Sequence, residues 1–255
     1  MKILRKISFL ILASLIFNCK GQVKEESEDL MVLKFQSNNI SEFKVQELTE
    51  SELRKEIIFE GKFVKSKKWI DSQGENILLI YTKGPFEEIE FLETDDEEYV
   101  ELYAQKFQKK TIGYEKTWEI KDFVRNCAYD MYIGLANSNS IYITDVNNDN
   151  LAEVSLVYYL SCRSDVSPSN MKLIMRSDKK KYALRGKTIP KSYAKHIDLN
   201  QFNPNLDEVR SLKDYDKDMG RYLNENDFSG SPKEFLILAR SLWKKNVIEA
   251  EMKQF

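Results

Sequence analysis

The chain has 255 residues, of which 42% are hydrophobic and 12% aromatic. That is enough apolar material for a packed core, which excludes disorder over most of the chain. Nine Gly and five Pro exclude a fibrous or low-complexity protein, and a formal charge of −2 gives no electrostatic reason to bind nucleic acid or an anionic membrane face.

The chain opens with MKILRKISFLILASLIFNC. Lys2, Arg5 and Lys6 make a basic start, and Ile7 to Phe17 is an unbroken run of apolar or small residues, the pattern of an export signal. Eleven residues fall short of the roughly 20 that a membrane-spanning helix needs. Cys19 follows almost at once, and FNCKGQ resembles the end of a bacterial lipoprotein signal of the looser Bacteroidota type, with Asn18 where Gly or Ala is usual. The resemblance implies cleavage before Cys19 and its acylation, with each buried CH₂ contributing ~0.8 kcal/mol to attachment. An ordinary cleaved signal is the alternative. Loss of residues 1–18 leaves 36 of the 39 basic residues against 41 acidic ones, a formal charge of −5. Residues 19–45, beginning KGQVKEESEDL after the cysteine, then read as a lipidated Cys and flexible tether. The expected address is the cell envelope, with the chain lipid-anchored in the outer membrane and facing the periplasm or the cell surface.

Residues 46–190 read as a strand-rich domain. TESELRKE, from Thr49, is a short helical lead-in. Residues 56–70 and 76–82 alternate polar and apolar around the turn-rich DSQGE and predict a β-hairpin. Residues 98–108 and 114–124, around KKTIG, predict a second. SIYIT (140–144) and AEVSLVYYLS (152–161) flank a polar loop, and MKLIMRS (171–177) and KYALRG (181–186) flank DKK. This is a succession of antiparallel strands with no glycine-rich crossover. Residues 191–255 read as a loop and helical part of the same domain. A polar helical piece is expected near Val209 to Leu223. Next, Ser231 as N-cap, Pro232 and Glu234 predict a capping box for a helix whose Phe235, Leu238, Ala239, Leu242 and Trp243 form one stripe. The fold class expected is α+β, mostly antiparallel, with that amphipathic helix packed on the sheet.

Two cysteines remain besides Cys19. In an oxidising compartment Cys127 and Cys162 are expected to form a disulfide. A catalytic thiol would need a base, and the one histidine, His196, lies in an unpatterned stretch.

The polar loop is DVNNDNLAE. Asp145, Asn147, Asp149, the Leu151 carbonyl and Glu153 place oxygen at alternate positions, as a hard divalent cation requires. It resembles the calcium loops of EF-hands and, more closely, of integrin-type propeller repeats, where strands flank the loop. Asn150 stands where that motif prefers Gly, and Glu153 replaces its last Asp. One structural calcium ion is the implied cofactor. An ion-free turn is the other reading, since Asn and Asp favour turns anyway.

Residues 57–187, above all TDVNNDNLAEV and SCRSDVSP, resemble a family of Bacteroidota lipoproteins connected with surface polysaccharide biosynthesis. The resemblance implies an envelope lipoprotein that supports lipopolysaccharide or capsule assembly by binding a glycan or a polysaccharide-assembly protein. It carries over no catalytic residues. Within SCRSDVSP, Arg163 and Asp165 are candidates for ligand contact, or else a locally paired turn. A glycan-acting enzyme would instead need two carboxylates ~5–9 Å apart across a pocket, and nothing in the sequence picks out such a pair. A structural or adhesive surface protein is the third class.

Overall fold

Residues 43–88, 97–209 and 217–250 are described by the structure, a computed structural model of the chain. The expected export signal, Cys19, most of the expected tether and residues 210–216 of the expected helical piece lie outside the described residues, while 217–223 form turns and a bridge in place of helix.

Two antiparallel sheets account for the strands. The first contains β1 (Gln46–Glu47), β2 (Lys62–Asp71), β3 (Gly74–Glu88), β4 (Glu97–Lys109) and β5 (Tyr114–Cys127), in sequence order. The second contains β6 (Asp130–Leu135), β7 (Ile141–Thr144), β8 (Glu153–Arg163), β9 (Asn170–Ser177) and β10 (Lys180–Lys187). Its order is β10-β9-β8-β6, with β7 pairing β8 ahead of β6 along the same edge. All four predicted hairpins are present. The first begins later than expected, because Gly61 (φ +135°) turns the chain before Lys62. A Cβ at Gly61 would lie 2.5 Å from the Thr82 carbonyl oxygen, so only glycine fits this approach.

The two sheets bury one core between them. Trp69, Leu78, Ile80, Leu102, Ala104 and Ile120 of the first meet Ile133, Ile143, Val154, Leu156, Tyr158 and Ile174 of the second. On the outer face of the first sheet, Ile77, Leu79 and Tyr81 are covered by Leu53, Ile57 and Phe59. Leu53 belongs to α1 (Glu50–Leu53), which has a full capping box: Glu52 N–H donates to Thr49 Oγ1 (3.3 Å) and Thr49 N–H to Glu52 Oε2 (2.8 Å).

Beyond β10 the chain forms α2 (Lys191–Ala194), α3 (Leu206–Val209), a 3-10 turn (Asn226–Phe228) and α4 (Lys233–Asn246). Phe235, Leu238, Ala239, Leu242 and Trp243 of α4 are buried in one cluster with Val157, Tyr159, Met171, Leu173, Met175 and Leu184 of the second sheet. The Tyr159 hydroxyl donates to the Asn246 carbonyl (2.5 Å), and Trp243 Nε1 donates to the Gly220 carbonyl (2.8 Å). The capping box expected at Ser231 does not form. Pro232 is extended (ψ 139°) and occupies the N-cap itself, which moves the helix start on by one residue. Glu234 is then one place short of the box position, and Ser231 Oγ donates to the Pro232 carbonyl instead (3.1 Å).

β8 shows why its sequence is so apolar. Every residue from Glu153 to Ser161 is buried. Side chains alternate across a strand, so Val154, Leu156, Tyr158 and Leu160 face the first sheet while Val157 and Tyr159 face the cluster around α4. Both faces are covered, and the acidic Glu153 at its start is buried as well.

Candidate metal centre

The loop between β7 and β8 crosses from one sheet towards the other. Asn148 (φ 57°) and Asn150 (φ 61°) take left-handed conformations, which asparagine tolerates better than most residues. Asp145 organises the turn: its Oδ1 accepts the Asp149 N–H and its Oδ2 the Asn150 N–H, both at 2.9 Å. Asp149 Oδ1 accepts the Leu151 N–H (2.8 Å), and Asp149 Oδ2 accepts from the Asn147 amide (2.8 Å). Two bonds tie the loop to the β2–β3 turn of the first sheet. Ser72 N–H donates to the Asn150 carbonyl (2.9 Å), and Asp71 Oδ2 accepts both the Ala152 N–H (3.4 Å) and Trp69 Nε1 (3.1 Å).

Three of the predicted residues converge. Oxygens of Asp145, Asp149 and Glu153 all lie within 4.8 Å of one another. Asp145 and Glu153 are buried, Glu153 at 0% exposure, while Asp149 opens to solvent. Glu153 Oε2 accepts from Thr144 Oγ1 and the Val146 N–H, both at 3.0 Å. Its Oε1 is buried with no hydrogen-bond partner, and so is Asn147 Oδ1. Burial above all pushes the Glu153 carboxyl up to about 7, against the lowering pull of the Val146 N–H and the Thr144 hydroxyl; the charges of Asp145 and Asp149 add to the rise. Among the described residues no Lys or Arg forms an ion pair with any of the three carboxylates.

A closed Asx-type turn accounts for Asp145, each of whose carboxylate oxygens accepts one backbone N–H. It does not account for Glu153 Oε1 or Asn147 Oδ1, since a buried acceptor left unpaired costs ~1–3 kcal/mol and more when charged. Hard oxygen donors, charged and neutral, with two of them unpaired in a buried setting, fit a divalent cation. Asp145, Asp149 and Glu153 could hold such an ion, with Asn147 supplying a neutral oxygen.

The other predicted residues fall elsewhere. Cys127 and Cys162 form the disulfide (S–S 2.07 Å, Cα–Cα 5.6 Å), joining the end of β5 to the end of β8. The local pairing of Arg163 with Asp165 is corrected: Arg163 donates from Nη1 and Nη2 to the two carboxylate oxygens of Glu249 (3.2 and 2.9 Å). Exposed Asp165 accepts the Ser167 N–H (2.9 Å), and bonds from Ser167 hold its carboxyl below the usual range. Sequence reasoning missed Asp71, Ser72 and Glu249. Nothing marks DSQGE as the neighbour of a loop that follows some eighty residues later in the chain. Comparison with family models, with curated proteins and with solved structures finds no match for this chain.

Proposed function

We propose that this chain is a lipid-anchored protein of the bacterial cell envelope, non-catalytic, whose 145–153 loop holds one structural calcium ion. In this reading it supports surface-polysaccharide assembly by binding a glycan or an assembly protein. The observation that carries the metal part is the pair of buried, unpartnered oxygens, Glu153 Oε1 and Asn147 Oδ1, beside two further carboxylates. Calcium is favoured over magnesium because a chain loop with mixed charged and neutral oxygens suits its flexible coordination, whereas magnesium keeps more of its water. The role is structural: the loop is tied to both sheets, so an ion there braces the sandwich.

The address rests on the residue pattern of positions 1–19 and is supported by the Cys127–Cys162 disulfide, a bond that persists in oxidising compartments. The polysaccharide role rests on the family resemblance alone.

Two experiments test the reading. Millimolar calcium should raise the melting temperature of the purified protein, and Asp145→Ala should abolish the rise; an unchanged melting temperature removes the ion. A strain lacking the gene should show a lost or truncated lipopolysaccharide or capsule ladder that the wild-type gene restores. An unchanged ladder removes the polysaccharide role.

A further inference from the structure

Far along β8 from the acidic loop lies a groove of about 870 Å³, lined by the ends of β5, β8, β9 and β10 and by the segment 218–223. Five cationic side chains line it: Arg125, Lys172, Arg185, Lys187 and Arg221, with Asp218 the one acidic residue of the lining. The groove thus concentrates cationic side chains on a protein whose net charge is negative. Carboxylates position several of these cations, and most of those carboxylates stand outside the lining. Lys172 rests on Asp122 (2.6 Å), Arg185 on Asp227 (2.9 Å) and Arg125 on Glu101 (3.5 Å), while Lys187 reaches Asp218 at 3.9 Å. The guanidinium of Arg221 is oriented by the carbonyls of Asn203 (3.1 Å) and Lys217 (2.6 Å).

The groove is also amphipathic. Phe123 (48% exposed) and Leu223 (50% exposed) are large apolar side chains left in contact with water at its rim. The Arg125 guanidinium lies 4.4 Å from the Phe123 ring centroid, so charge and apolar surface are adjacent. Gly186 in the wall lets the 218–223 segment pack directly on β10: a Cβ there would stand 1.9 Å from the Arg221 carbonyl oxygen.

We infer that this groove binds an acidic saccharide, its carboxylate groups met by Arg125, Lys187 and Arg185 and its ring faces by Phe123 and Leu223. The inference rests on the glycan-binding part of the function proposed above and narrows it to anionic chains. A sugar acid presents an apolar ring face and a charged edge together, which is the combination the groove offers. Single-stranded nucleic acid would call for successive aromatic platforms, and among the described lining residues Phe123 is the one aromatic.

Calorimetric titration of the purified full chain with tetragalacturonate, maltotetraose, inorganic phosphate and an oligothymidylate tests this. The acidic tetrasaccharide should bind with an affinity that falls as salt is raised, and maltotetraose should not bind at the same concentrations. Arg125→Gln with Lys187→Gln should weaken tetragalacturonate at least tenfold with the melting temperature unchanged. Should that pair unfold the chain, Arg185→Gln alone should weaken binding severalfold. Equal binding of maltotetraose, equal binding of oligothymidylate, or phosphate that binds as well as the sugar acid would each overturn the inference. No binding of any saccharide would overturn it too, yet leave the polysaccharide role to be judged by the gene-deletion ladder.

Discussion

Arg163 and Glu249 form a two-point ion pair that fastens the end of β8 to the segment following α4. Both side chains are largely removed from water, and the remaining capacity of Glu249 is taken by the Ser169 N–H (2.8 Å) and the Thr188 hydroxyl (2.5 Å). Burial alone would raise the Glu249 carboxyl, but Arg163, Thr188 and Ser169 together hold it below its ordinary value.

Removal of one partner strands the other charge. Glu249→Gln is therefore expected to cost about 3–5 kcal/mol in chemical denaturation. A carboxyl lowered on folding adds stability above its unfolded value, near 4.5, and loses it as pH falls through the folded value. The wild-type melting temperature should accordingly drop more steeply below about pH 4.5 than that of Glu249→Gln. Parallel curves for the two proteins would refute the assignment.

Glu153 carries the opposite sign. Its carboxyl is raised on folding, so without a cation the folded chain loses stability as pH rises from 4.5 through about 7. Glutamine keeps an acceptor for Thr144 and Val146 while removing the unpaired charge. At pH 8 and without divalent ions, Glu153→Gln should be about 1–3 kcal/mol more stable than wild type, and it should no longer respond to calcium. A variant both less stable and still calcium-responsive would show that Glu153 is not a ligand.

The disulfide closes a ring whose two cysteines are separated by 35 positions. In the chain-entropy account such a ring contributes about 4 kcal/mol. Replacing Cys127 and Cys162 by Ser should lower the stability by that order, read by denaturant midpoint. Because every predicted ligand of the acidic loop lies within the ring, the same variant should also bind calcium more weakly.

Gly186→Ala tests the groove wall. The new Cβ meets a backbone oxygen, which cannot swing away as a side chain can, so the 218–223 segment must lift. Two bonds are at risk: Lys187 N–H to the Arg221 carbonyl (3.0 Å) and Leu223 N–H to the Arg185 carbonyl (2.8 Å). A loss of about 2–3 kcal/mol is expected, together with loss of the salt-dependent sugar-acid binding. Unchanged stability would mean that the close approach is not required.

The four hairpins were legible because each is local: period-two alternation on both sides of a short polar turn is visible within about thirty residues. The division into two sheets was not, because nothing in DSQGE records that Ser72 will meet Asn150. β6 escaped notice since Asp130–Leu135 is short, half-exposed and broken by Gly134. In the loop, the alternate spacing of Asp145, Asp149 and Glu153 anticipated their convergence. That both faces of β8 would be covered depended on α4, whose first residue, Lys233, lies far along the chain from Val157 and Tyr159. The capping box failed for a local reason, a one-residue shift set by the extended backbone of Pro232. The basic groove gathers Arg125, Lys172, Arg185 and Arg221 from four separate segments, and no window of sequence holds them together.

β8 is fastened to the opposite sheet at both of its extremities. At Glu153 the attachment runs through the acidic loop to Asp71 and Ser72, and at Cys162 it is the covalent bridge to β5. Nine residue steps separate these points, a span of roughly 30 Å for an extended strand. Two stacked layers joined at a single rivet can still swivel about it. Joined at two rivets this far apart, they resist both swivelling and sliding; one rivet is covalent, and the other is a pair of hydrogen bonds beside the acidic cluster. On the function proposed above, the tightness of the second would follow the ion content of the surroundings.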